Sequence, residues 1–184
     1  MLCLLIALFA AAQSTEKLYR EGKALYDQKQ YEKAVAKLKP AADKGHDKAQ
    51  YRLARCYEKG QGVEEDEAKA YALYLKSAQQ GNDKAQYRLG RCYKKGNGTQ
   101  KSYQKAALWF GKSAQQDNAD AQYALAKCYL KGQGVNVDNN KAKSLLKKAT
   151  SDAKHGKEIL AEIREDANAG DETAKTMLTL LGKK

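Results

Sequence analysis

Proline, histidine, acidic residues and long apolar runs are all in short supply in this chain, and each shortage excludes something. A single proline and few β-branched residues, set against abundant Ala, Lys, Leu, Gln and Glu, argue against a sheet-based core and for an all-α protein. The only two histidines, His46 and His155, fall in turn-like segments with no Cys or Ser in a recognisable catalytic arrangement. Cys56, Cys92 and Cys128 stand 36 residues apart and make no metal-ligand cluster. The Gly-x-Gly segments lack the preceding strand and the following Lys-Ser/Thr of a phosphate loop, and Asp66, Asp138 and Asn139 read as helix starts rather than calcium ligands. No enzymatic activity and no cofactor are therefore expected. With 22 acidic against 34 basic residues the formal net charge is +12, which favours acidic partners.

The one apolar run, Leu2 to Ala12, is too short for a bilayer core of roughly 30 Å, which needs about 20 residues. Small residues Ala10, Ala11 and Ala12 before polar Gln13-Ser14-Thr15 fit a cleavable export signal, although no Lys or Arg precedes the run. A periplasmic or secreted location follows as an expectation, with a cytoplasmic one if residues 1–12 are not a signal. Removal of that segment would take Cys3 with it.

What is present in abundance is repetition. Ala49-Gln50-Tyr51 recurs as Ala85-Gln86-Tyr87 and Ala121-Gln122-Tyr123, each time 36 positions on. Each copy continues at the same offset with Cys56-Tyr57 to Gly60, Cys92-Tyr93 to Gly96, and Cys128-Tyr129 to Gly132. A period of this size means stacked copies of one small unit, each completing its core against its neighbours.

Within a unit, Ala49, Leu53, Cys56 and Tyr57 form the apolar face of a first helix from about Lys48 to Lys59. Gly60 and Gly62 end it, and Asp66, Ser102 and Asp138 are N-caps for a second helix. That helix carries Ala70, Leu73, Tyr74 and Ala78, then Ala106, Trp109, Phe110 and Ala114, then Ala142, Leu145, Leu146 and Ala149. Equivalent positions on stacked helices lie roughly 8–10 Å apart or more, beyond the about 7 Å of a disulfide, so the three Cys read as small buried apolar residues. Leu18 to Lys44 reads as a shorter pair in phase with the array, with Pro40 expected to kink or shorten its second helix. Lys157 to Asn168, and then Gly170 to Leu178, read as more polar terminal helices.

Leu89-Gly90-Arg91-Cys92-Tyr93 matches the L-G-x-x-Y core of tetratricopeptide helices, and Ala106 with Phe110 matches their A-x-x-x-F element. The 36-residue period, Ala-Gln-Tyr, Lys-Ala, and the inserts Gly60-Gln61-Gly62-Val63 and Gly132-Gln133-Gly134-Val135 resemble the Sel-1-like repeat family. The resemblance implies a right-handed α-solenoid of antiparallel helix pairs, first helices lining the concave side, and adaptor or scaffold work in exported bacterial proteins. It divides the chain into an export segment at 1–12, a tetratricopeptide-like pair at 13–44, repeats at 45–80, 81–116 and 117–152, and C-terminal capping helices at 153–184. Two features depart from the family. One Cys per unit replaces the stapling pair of cysteine-rich members, and Arg55, Arg91 and Lys127 stand where an apolar residue is more usual.

Those departures belong to a row of cations. Lys48, Arg52, Arg55 and Lys59 share one flank of the first helix, the next unit repeats it as Lys84, Arg88, Arg91 and Lys95, and the third keeps Lys127 and Lys131. Like charges at i, i+4 repel by a few tenths of a kcal/mol. The row reads either as a solvated face copied by duplication or as a partner surface, and the Arg content favours the second, because guanidinium grips carboxylates bidentately. The expected partner is a protein with an acidic surface or segment held in a basic concave groove. The alternative is an anionic polymer: acidic glycan, lipopolysaccharide or nucleic acid.

Overall fold

The structure, a computed structural model, describes residues 2–183, with side chains from residue 12 onward. These form ten α-helices and, among the described residues, no strand. The protein is all-α, with consecutive helices packed in adjacent pairs. It divides into two compact units, Met1–Ala85 with Asn97–Thr99, and Gln86–Gly96 with Gln100–Lys184. None of the described helices is long and apolar enough to cross a membrane.

The first unit contains α1 (Leu2–Asp27), α2 (Tyr31–Asp43), α3 (Asp47–Lys59) and α4 (Glu67–Gln79), each packed on the next. The backbone of the apolar run is continuous with α1, and its side chains lie outside the described residues. Ala34, Leu38 and Ala41 of α2 meet Ala49, Leu53 and Cys56 of α3 in one buried cluster. Small residues at this seam let the helix backbones approach closely, and Leu38 and Leu53 supply most of the apolar area, about 1.5–3 kcal/mol each. Pro40 neither stops nor shortens α2, which runs through it to Asp43. The carbonyl that loses its donor belongs to solvent-exposed Ala36, where water can replace the missing N–H.

His46 clamps the turn between α2 and α3. Its Nδ1 accepts the Ala49 N–H at 3.3 Å as an N-cap, which leaves Nε2 to donate to Glu16 at 2.9 Å. Its ring also stacks on Tyr19 with centroids 4.5 Å apart. A residue with no visible role in the sequence thus ties α1 to the start of the array.

The second unit holds α5 (Asp83–Lys95) from Gln86 onward, α6 (Tyr103–Ala114), α7 (Ala119–Lys131), α8 (Asn139–Ser151), α9 (Gly156–Asn168) and α10 (Glu172–Leu181). From α6 each helix packs on its successor, and α10 also reaches α7 and α8. Ile159, Ile163 and Met177 of the last two helices are buried with Tyr123, Leu146 and Ala149. The C-terminal pair is thus a full packing partner of the last repeat.

Repeat motifs resolve into local bonds. Asp66, Ser102 and Asp138 accept the backbone N–H groups of Lys69, Lys105 and Lys141 at 2.8, 3.3 and 2.9 Å. Gly60 and Gly132 are left-handed caps with φ of 61° and 63°. The second glycine of each loop is a spacer as well as a turn residue. A Cβ on Gly62 would strike the backbone of Tyr31, one on Gly98 that of Glu67, and one on Gly134 that of Tyr103. The loop can therefore lie directly on the start of an earlier helix. The glutamine of Ala-Gln-Tyr is buried and joins helices. In the first unit Gln50 donates to the Ala42 carbonyl at 3.2 Å and accepts from Gln80 at 2.7 Å. In the second, Gln86 accepts from Gln116 at 2.8 Å.

Candidate partner-binding faces

In the first unit the cationic row lies on α3. Lys48 and Lys59 are exposed, whereas Arg52 and Arg55 are half-buried against the end of α1. Arg52 places Nη1 3.4 Å from Asp27 and its guanidinium 5.3 Å from the Tyr26 ring centroid. Asp27 also takes Lys23 at 2.7 Å, and that hydrogen bond, more than Arg52, holds its carboxyl below the usual range. Arg55 lies 5.9 Å from the same Tyr26 ring, and its buried Nε has no hydrogen-bond partner among the described residues. Arg52 and the Lys23 ammonium thus share one carboxylate, and Arg55 is the cation left without one. Beside it, burial pushes the Cys56 thiol up to about 11, so this cysteine is packing rather than a nucleophile. Cys56, Cys92 and Cys128 are all buried and none is in a disulfide, as expected of small apolar residues.

Of the second row, Lys84 is exposed within the first unit, and Arg88, Arg91 and Lys95 belong to the second. Lys95 is exposed, and Arg88 and Arg91 are half-buried. Arg91 sits 6.0 Å from the Tyr87 ring centroid and forms no ion pair among the described residues. Lys94, outside the expected row, is half-buried beside it, and burial pushes its ammonium below the ordinary lysine value. Nothing in the period pointed to Lys94, because Glu58 and Leu130 stand at the equivalent positions.

The third row departs from expectation. Lys127 pairs with Glu162 of α9 at 3.2 Å and lies 3.8 Å from the Tyr123 ring centroid, and Lys131 stands 4.0 Å from Asp171 at the start of α10. Lys127 and Lys131 were expected to extend a free basic surface. Instead the C-terminal helices, packed on α7, bring carboxylates to both. The cause lies where the period has decayed, so register could not reveal it.

These faces offer electrostatic and cation–π contacts. Among the described residues no group of three or more His, Cys, Asp or Glu is placed to hold a metal ion.

Comparison with known proteins agrees with this architecture. The model of the Sel1 repeat matches residues 47–82, 83–118 and 119–152, with each repeat beginning two residues later than the sequence division at 45, 81 and 117. Among solved structures, the chain is 32% identical to a Sel1 repeat protein from Oxalobacter formigenes, over 79% of this chain and 57% of that one, with a TM-score of 0.72. It is 25% identical to c5321, a protective antigen of uropathogenic Escherichia coli strains displaying an SLR fold, over 93% of this chain and 42% of that one, with a TM-score of 0.71. The chain thus spans less than two thirds of either neighbour. No curated protein is significantly similar to it.

Proposed function

Because the chain belongs to the Sel1 repeat family, whose members generally mediate protein–protein interaction and are typically non-catalytic, we propose that it is a scaffold for an acidic protein partner. Each unit offers such a partner one cationic face, on α3 in the first and on α5 in the second. One observation carries this reading: Arg55 and Arg91, at the same register of successive repeats, are half-buried guanidinium groups that form no ion pair among the described residues. A cation withdrawn from water without a counter-charge weakens the fold, and a partner's carboxylate reverses that cost. The apolar run at Leu2 to Ala12 supports the further reading that residues 1–12 are an export signal and that the scaffold works in the periplasm or outside the cell.

The test is binding of a fluorescent oligoglutamate peptide to the full chain and to the Arg55→Glu, Arg91→Glu double variant. The double variant is expected to lose about tenfold or more in affinity while keeping its helical circular dichroism and melting temperature. Undiminished affinity overturns the reading. Preference for heparin or DNA over the peptide, with affinity falling steeply and linearly in log salt, would replace it with attraction of an anionic polymer to the +12 chain.

A further inference from the structure

In the second unit a cleft of roughly 180 Å³ opens among α5, α7 and α9. Its charged lining brings Arg91, Lys94, Lys95 and Lys127 together with Asp120 and Glu162, beside the ring of Tyr87. Small-molecule sites run about 300–1,000 Å³, so a space of this size suits a single side chain. Glu162 already engages Lys127 at 3.2 Å, and the ionisation of the Tyr123 hydroxyl is pushed up by burial and then by this carboxylate. Arg91 and Lys94 form no ion pair among the described residues, although both are half-buried. After burial, the groups that act most on Lys94 are the Cys128 thiol, the Lys127 and Lys131 ammonium groups and the Tyr103 hydroxyl. None of these is a carboxylate.

Resting on the acidic-partner reading, we propose that this cleft is the seat for one carboxylate side chain of the partner, with Glu162 of α9 holding its edge as an internal competitor. The Glu162–Lys127 pair is a carboxylate delivered to a first-helix cation by another helix, and the partner reproduces that contact on Arg91 and Lys94. Arg91 supplies the planar fork and Lys94 the point charge. The partner's carboxylate returns to Lys94 the counter-charge that burial withholds, and Glu162 lowers the affinity by neutralising the neighbouring Lys127.

N-acetyl tetraglutamate amide is the probe, added to the full chain labelled for NMR of its Lys Cε and Arg Nε groups. Addition is expected to move the Arg91 and Lys94 signals and to raise the pH at which Lys94 titrates. Glu162→Gln keeps the shape of the side chain and removes the charge. It is expected to bind the peptide roughly three- to tenfold tighter at low salt, an advantage that fades as salt rises. Lys94→Met is expected to weaken binding with the near-ultraviolet circular dichroism unchanged. Peptide-induced shifts confined to Arg52 and Arg55, with Arg91 and Lys94 unmoved, overturn the seat and leave the acidic-partner reading standing. Absence of binding on any face overturns both. Equal or weaker binding by Glu162→Gln, its melting temperature intact, overturns the role of Glu162 as competitor.

Discussion

Replacing Arg55 with Met should make the protein more stable and less able to bind. The half-buried Arg55 leaves Nε without a hydrogen-bond partner, and an unsatisfied buried donor costs about 1–3 kcal/mol. Against this stands the contact with Tyr26, long at 5.9 Å and worth about 0.5–1 kcal/mol. Methionine keeps an unbranched apolar stem to cover the same ring and adapts to irregular space. It also removes the repulsion between Arg55 and nearby Arg52. The balance is a net gain of about 1 kcal/mol. Urea unfolding followed by far-ultraviolet circular dichroism reads this as a higher midpoint at unchanged slope. Because repeat arrays unfold cooperatively only while neighbouring units stay coupled, a second probe such as Trp109 fluorescence should give a coincident transition. The same variant should bind oligoglutamate more weakly. A lowered midpoint would mean that Arg55 is a structural residue, and the case for a partner-facing guanidinium on α3 would fail.

Two other perturbations examine the scaffold itself. Gly134→Ala forces a side chain into a φ of 77° and onto the Tyr103 backbone, and should cost about 1–3 kcal/mol. Gly45→Ala, at a φ of 87° with open space around it, should cost clearly less, and equal losses in urea unfolding would refute the spacer role. Asp66 and Asp138 are held below the usual carboxylate range chiefly by the backbone N–H groups of Lys69 and Lys141. A carboxyl depressed by folding contributes stability that is complete above its unfolded value of about 3.9 and is lost as pH falls through the lower folded value. The Asp66→Asn, Asp138→Asn variant keeps capping acceptors, so its deficit relative to wild type should be greatest near neutrality and should shrink below about pH 4. A deficit that stays constant between pH 7 and pH 3 would refute the titration argument.

Much of the scaffold was legible because it is written several times over. Ala49, Leu53 and Cys56 recur as Ala85, Leu89 and Cys92, and a helical stripe repeated in register leaves little choice of helix or of buried face. The caps at Asp66, Ser102 and Asp138 were readable for the same reason, since capping is a bond between residues three apart. The candidate faces were legible only as spacing. Helical period placed Arg52 and Arg55 on one flank, but their difference comes from Asp27, a distant residue of α1 that pairs with one and not the other. Lys94 was invisible because its position does not repeat.

By itself, then, the sequence determined an all-α repeat protein, its period, its capping residues and its excess of positive charge. Each of these follows from local periodicity or from counting. Only the tertiary structure decided which cations keep their charge unopposed. Glu162 and Asp171 belong to the part of the chain where the repeat has faded, and they reach Lys127 and Lys131 because α9 and α10 fold back on α7. Charge is a property of composition, but neutralisation falls off over a few ångströms, and which groups come that close is settled by helix packing.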